Sequence, residues 1–524
     1  MSLTPYSGTW GRAQVLHLLR RTMFGVKKDD LNYFLTKTME QAVSELLTPL
    51  TTPSPPVNDY QSASTTDPVV PLGSTWVNDP TGDNFTYPRL QSLRGWWMGL
   101  MWNQDRNIRE KMVLFWHNHM PVSIGDAVTD AIPAYSYVAL LRQHAMGNFK
   151  NLVRYMTIEP SMLTYLDGKL NTRNAPNENY ARELQELFTI GKDATPIYTE
   201  SDVQMAAKVL TGWQVSWPNN IVSYNANLHD TSNKVFSSFY GNAVINYVSG
   251  ATGGMTEINA LLDLIFAKNE VALYIIRKLY RFFVYYKITA DIETNIIIPL
   301  ANLFRTNQYD ILPVLNVLFR SEHFYDVTAS QGCMIKNPIE FVITIARTFN
   351  VTPPLSDLAN TYRNWRDFVD QAILMQMSLG APPNVAGWLA YWSGPGFHEN
   401  WINADTLRRR KEFVDHVTGN WSYGFTNGMI VNVIGFTTTL HTPSDPNLLI
   451  DEVLELVHTL PSDAAIKTEL KKILLSNQTQ DYYWTTAWNN YISAPTNATY
   501  ESTVKTRLKQ LYKAILNMAE FHLS

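Results

Sequence analysis

Apolar residues in this chain recur at intervals of three and four, the period of a helix with one face in a core, and seldom at intervals of two. Leu90, Leu93, Trp97, Leu100 and Met101 are one such series, and Val15, Leu16, Leu19 and Met23 are another. The same spacing predicts helices at about 28–48, 133–147, 149–158, 255–267, 269–286, 290–306, 310–320, 337–349 and 358–379, and again at 403–417, 446–459, 463–475 and 498–519. Alternating Val, Tyr and Phe with Asn and Ser appear mainly between 214 and 248, where short strands are expected. The chain is therefore read as a mainly α, large multi-helical globular protein with at most a small β excursion at about 214–248.

With 524 residues, length alone permits two to four domains. The even helical texture favours one large helical domain over 1–524, or two packed lobes at about 1–325 and 326–524. The stretch 49–86 is rich in Thr, Pro, Ser and Asp and poor in large apolar residues. It reads as a flexible surface loop.

Composition excludes several classes. A net charge of −4 provides no basic field for a nucleic-acid backbone. Cys333 is the only cysteine, which rules out intrachain disulfides and Cys-rich zinc sites. No apolar run approaches a membrane span. The N-terminus lacks the basic and apolar regions of a signal peptide, so a cytoplasmic location is expected, with a periplasmic one left open. Phosphate-binding loops, dinucleotide fingerprints, H-E-x-x-H and G-x-S-x-G are all missing from the sequence.

The densest chemistry lies in P-N-E-N-Y-A-R-E-L-Q-E-L-F-T-I-G, residues 176–191. It reads as one helix, capped by Asn174 or Asn177 and closed by Gly191. Tyr180, Leu184, Leu187 and Phe188 fall on one side; Glu178, Asn179, Arg182, Glu183 and Glu186 fall on the other. A salt-bridge ladder Glu178–Arg182–Glu186 would account for part of this at about 0.2–0.5 kcal/mol per pair. Glu183 and Glu186 nearer the apolar boundary need partners: an Arg, backbone donors or a metal. No Lys stands on this face to supply one.

Histidines elsewhere could meet this helix. His117 and His119 stand two apart and point in different directions on a helix, so one at most serves a given site. His229-Asp230 sits in the irregular excursion. His119, Glu183, His229 and Asp230 together would suit a divalent Zn, Mn or Fe, and without a metal Glu183, Glu186, His119 and Asp230 would supply general acid and base. Asn179, Arg182 and Trp213 are candidates for substrate contact. So are Trp388, Trp392 and Trp401 in the aromatic stretch 388–401, whose rings could stack on a sugar or fill the core.

Several stretches together resemble a large bacterial family catalogued as domain of unknown function 1800. They are H-L-L-R-R-T-M-F-G at 17–25, F-W-H-N-H at 115–119, the 177–191 segment, Y-T-E-S-D-V with A-A-K-V-L-T-G-W at 198–213, H-D-T-S-N-K at 229–234, P-P-N-V-A-G-W at 382–388, and the closing A-E-F-H-L-S. Met120 stands where an aromatic is common, and Ser232 where glycine often follows His-Asp. The resemblance implies a mainly helical bacterial protein and, since the family has no established activity, supplies no catalytic residues.

Two functional expectations follow. The first is a hydrolase-type enzyme built on the acidic helix with the His/Asp loops. The second is a non-catalytic helical module that binds a glycan or a protein partner through an aromatic and acidic surface.

Overall fold

The Thr86–Trp102 helix lies along the Leu358–Leu374 helix, and a glycine makes that approach possible. A Cβ on Gly99 would stand 2.7 Å from the indole of Trp365, inside van der Waals contact. Trp97 and Trp102 on one helix and Phe368 on the other are buried. Trp102 and Phe368 pack with ring centroids 4.4 Å apart. Residues from both halves of the chain thus meet in one core, which runs without a break from Val15 to Phe521.

The computed structural model describes residues 2–62, 65–79, 85–192, 197–216, 220–326, 332–353, 355–392, 397–419 and 429–524. Helices dominate, and among the described residues β structure is confined to two antiparallel hairpins. Trp213–Ser216 pairs with Ile221–Tyr224, and Lys234–Val235 pairs with Val244–Ile245. Both fall inside the expected excursion or one residue from its edge. No helix among the described residues is long and apolar enough to cross a membrane.

Several helices differ from the periodic reading, each for a local reason. The expected helix 28–48 is two, Lys28–Phe34 and Met39–Leu46. Thr38 restarts the chain: its hydroxyl accepts from Gln41 N, and the Gln41 side chain accepts from Thr38 N. The expected helix 290–306 passes through a π-helical turn, Glu293–Ile297, before Ile298–Thr306. Pro299 carries no N–H for the usual α bond, and the preceding turn widens. A helix at Tyr482–Ser493 was not expected, because its aromatic, Thr and Asn residues are poor helix formers.

The segment 49–86 is irregular in conformation, yet its described part is packed. Trp76 is fully buried and donates to Ser92 Oγ at 3.2 Å. Arg89 ties Asp67 and Asp79 at 3.0 and 2.8 Å, and Asn58 Nδ2 donates to Val70 O at 2.7 Å. Polar side chains, which the composition counted against order, are the ones that hold this loop down. Residues 63–64 and 80–84 lie outside the described residues.

Candidate functional site

The acidic helix begins as its sequence indicates. Asn177 Oδ1 accepts from Asn179 N at 2.9 Å, and Asn171 Oδ1 accepts from Asn177 N. Asn179–Glu183 is α-helical, but the expected single helix then widens into a π-helix, Leu184–Thr189. Gln185 O accepts from both Ile190 N and Gly191 N. The Gln185 side chain is fixed from two sides, donating to Ala181 O and accepting from the Tyr240 hydroxyl at 2.7 Å. Gly191 closes the turn at φ 89°, where a Cβ would stand 2.8 Å from the Tyr274 ring. Such π segments are rare and collect at functional sites.

The ladder is present. Arg182 pairs with Glu178 at 3.1 Å, with Glu186 at 3.6 Å and with Glu200. Lys192, just past Gly191, also reaches Glu186, at 3.0 Å. Glu186 therefore has two cations. Glu183, less than one turn away and half-buried, has no ion-pair or hydrogen-bond partner among the described residues. Burial, reinforced by the charge of Glu186, pushes its carboxyl above the usual range. Tyr198, 7% exposed, brings a hydroxyl with no partner among the described residues. Burial raises that hydroxyl's pKa, and the charges of Glu186, Arg182 and Glu183 all act on it.

His119 does reach this helix, but through the backbone. Its Nε2 lies 2.9 Å from Phe188 O and its Nδ1 3.0 Å from Lys278 Nζ. The Nε2–H tautomer satisfies both contacts, with Nδ1 accepting from the lysine. Burial and the neighbouring Lys278 hold the imidazole well below its ordinary pKa. Burial, with Arg281 one turn on, lowers the Lys278 amine to about 7. His117 faces elsewhere, to the Tyr137 hydroxyl at 2.8 Å, so the two histidines diverge as expected.

His229 and Asp230 belong to a different cluster. His229 Nδ1 lies 2.9 Å from Thr211 O, and its Nε2 lies 3.1 Å from Glu257 Oε1, out of line for a good hydrogen bond. Glu257 is fully buried and also accepts from Lys234 Nζ at 2.7 Å and Val248 N at 2.9 Å. Asp230 folds its own loop by accepting from the Ser232 amide and hydroxyl. Burial opposes its ionisation, but these donors and Lys234 bring its pKa below the usual value.

The proposed ligand set His119, Glu183, His229 and Asp230 is corrected accordingly: both nitrogens of each histidine already face other groups. Among the described residues no three His, Cys, Asp or Glu side chains gather to hold a metal ion. The aromatic candidates are corrected too. Trp388 and Trp401 are 2% and 4% exposed, packed on His117 and Tyr391, with no face open to a sugar. Trp213 is buried at 8% against Tyr224. The side chain of Trp392 lies outside the described residues. Asn179 is exposed at the helix start.

The order of these pieces along the chain matches a known family model, protein of unknown function DUF1800, over residues 17–523. The chain belongs to this family. Neither the curated proteins nor the solved structures yield a match.

In this DUF1800 chain the residues that sequence reasoning missed are Tyr198, Lys192, Tyr274, Lys278 and Glu257. Tyr274 and Lys278 are one turn apart on Asn269–Phe283, and the Lys278 ammonium lies 4.6 Å from the Tyr274 ring. That i, i+4 spacing was readable, but nothing local pointed it at His119, 159 residues away. Gly387 explains another matched stretch. At φ 94° its Cα faces Asn118 so closely that a Cβ would lie 2.5 Å from Asn118 O, while Asn118 Oδ1 accepts from Trp388 N.

Proposed function

We propose that this protein is a hydrolase whose proton-transfer group is Glu183, on the widened acidic helix. The observation that carries the reading is the contrast between two carboxylates less than a turn apart. Glu186 is tied to Arg182 and Lys192, whereas Glu183 is unpaired among the described residues and shifted by burial toward its protonated form. Carboxylates in unlike environments are how acid and base roles separate in one site. Glu183 would donate a proton to the leaving group and recover it from water. Glu186 contributes a fixed, paired charge, and the Tyr198 hydroxyl, which has no partner among the described residues, a hydrogen-bond donor to substrate oxygen. His119 and Lys278 are positioning residues here, because they act on the helix through Phe188 O.

The test is a panel of ester, glycoside, phosphoester and peptide substrates against the parent protein and Glu183→Gln. Turnover of at least one class, lost by about a hundredfold or more in Glu183→Gln with circular dichroism unchanged, supports the reading. Turnover that survives Glu183→Gln overturns it, as does no turnover by the parent on any class.

A further inference from the structure

A cleft of about 640 Å³ opens where the start of the Phe149–Thr157 helix meets the ends of Gly253–Phe266 and Ile298–Thr306. Three cations stand on its lining, Lys150, Arg154 and Arg305, against one carboxylate, Asp263. Lys150 takes that carboxylate. Arg154 is half-buried and makes no hydrogen bond or ion pair among the described residues; its Nε is shielded, but its two terminal nitrogens are open to solvent. Arg305 is exposed and faces the Tyr309 hydroxyl, and it too pairs with no carboxylate among the described residues. The cleft between Pro446–Val457 and Ala464–Leu474 also carries three cations, Lys467, Lys471 and Lys472, but each of them holds a carboxylate, at 2.8, 2.5 and 2.6 Å. The two arginines are thus accessible donors in a cleft that supplies them no acid.

The elements that carry these charges are tied to one another. Asn148 Nδ2 donates to Gln308 O at 2.5 Å, Phe149 N to Tyr309 O at 2.8 Å, and the Tyr309 hydroxyl to Phe266 O at 2.5 Å. A ligand therefore meets a frame already in place and orders little backbone on arrival. Leu262, Phe266 and Tyr309 in the lining are buried and offer no open apolar face, so the groups a ligand can touch are polar. We propose that this cleft binds a phosphoryl dianion, either free phosphate or the terminal phosphate of a monoester, with its oxygens on Arg154 and Arg305. Three cations less one carboxylate leave two positive charges, which match a group that carries close to two negative ones near neutral pH. Guanidinium groups are the side chains best shaped to bond two oxygens of such a group at once. The cleft is larger than one phosphate and leaves room for the body of an ester. It shares no lining residue with the acidic helix, and the assignment does not rest on the hydrolase reading.

Calorimetric titration of the full chain with inorganic phosphate and with glycerol phosphate tests it, at fixed ionic strength and with acetate as the monoanion control. At least one of the two phosphates is expected to bind about tenfold or more tightly than acetate. Tighter binding of glycerol phosphate assigns the cleft to an ester, and equal or tighter binding of inorganic phosphate assigns it to the free ion. Arg154→Gln and Arg305→Gln are each expected to weaken that binding by about tenfold or more. Asp263→Asn, which removes the one carboxylate of the lining, is expected to tighten it. All three positions reach solvent, so the variants are expected to fold, and circular dichroism checks that they do. Absence of binding by the parent, acetate bound as tightly as phosphate, unchanged affinity in either folded arginine variant, or weaker binding by Asp263→Asn would each overturn the assignment.

Discussion

Lys278 Nζ lies 3.0 Å from His119 Nδ1, and the opposite nitrogen of the same ring meets Phe188 O at 2.9 Å. One imidazole therefore links the Asn269–Phe283 helix to the π-helical turn of the acidic segment. The carbonyls at a helix end need partners that the helix cannot supply, and His119 serves one of them from a remote part of the chain. The arrangement requires a neutral ring, which burial enforces.

Lys278 gives a pH signature. Its amine falls from an ordinary 10.5 to about 7 in the folded protein, chiefly by burial and then by Arg281. A depressed pKa means that the unfolded chain takes up this proton first as pH falls. The stability tied to the neutral amine is therefore present above about 10.5, declines as pH drops toward about 7, and levels off below. Replacing Lys278 with Met removes that decline. Urea unfolding at pH 7 and pH 10 should show the variant gaining on the parent as pH is lowered, whatever the offset from losing the His119 contact. Parallel pH profiles for the two proteins would contradict this.

Glu183 has the opposite sign. Its carboxyl is raised by burial and by Glu186, so its favourable protonated form is complete below about pH 4.5 and is lost as pH rises through the folded value. Glu183→Gln should therefore become more stable relative to the parent between pH 4 and pH 7. Thermal melts across that range measure it.

Glu257→Ala should be among the most damaging single changes. Glu257, Lys234 and His229 are each fully buried, and Glu257 is the nearer of two carboxylates that answer Lys234, at 2.7 Å against 3.8 Å for Asp230. Removing it leaves a buried cation with only the more distant Asp230, at a cost of up to about 3–5 kcal/mol. Equilibrium unfolding in urea checks the loss. Glu257→Gln keeps the acceptor for Val248 N and should cost less.

The helical class was legible because burial on one face imposes a period, and that period survives in sequence without knowledge of partners. The Asn177 cap and the Gly191 stop were legible for the same local reason. The π-helical turn at Leu184–Thr189 was not, since it depends on Tyr240 holding Gln185 and His119 holding Phe188 from distant segments. The acidic ladder was readable at i, i+4, but the difference between Glu183 and Glu186 was not. Lys192 reaches Glu186 only after the chain turns at Gly191. His229 stood out in the sequence, yet its neighbour Glu257 lies on a helix whose apolar pattern gave no hint of a buried carboxylate. Trp388 and Trp401 show the limit from the other direction, because a loop-like, aromatic sequence does not distinguish a platform from a core plug.

Gly387→Ala offers the sharpest test of how the 382–388 stretch docks on the rest of the chain. Its φ of 94° lies in a region that an L side chain rarely adopts. Space is also lacking, since the added Cβ would stand 2.3 Å from Asn118 Oδ1 and 2.5 Å from Asn118 O. Asn118 cannot simply rotate away, because its Oδ1 holds Trp388 N at 2.9 Å, and Trp388 in turn packs on His117 in the core. Backbone strain alone costs about 1–3 kcal/mol, and displacing Asn118 adds the loss of a partly buried hydrogen bond, about 1 kcal/mol more. Asn118→Ala in the same background separates the two contributions. It relieves the contact with Oδ1 but neither the φ penalty nor the approach to the backbone oxygen. The double variant should therefore recover little of the stability lost in Gly387→Ala. Full recovery, measured by urea unfolding, would show that the side chain of Asn118, and not the backbone of the turn, makes Gly387 necessary.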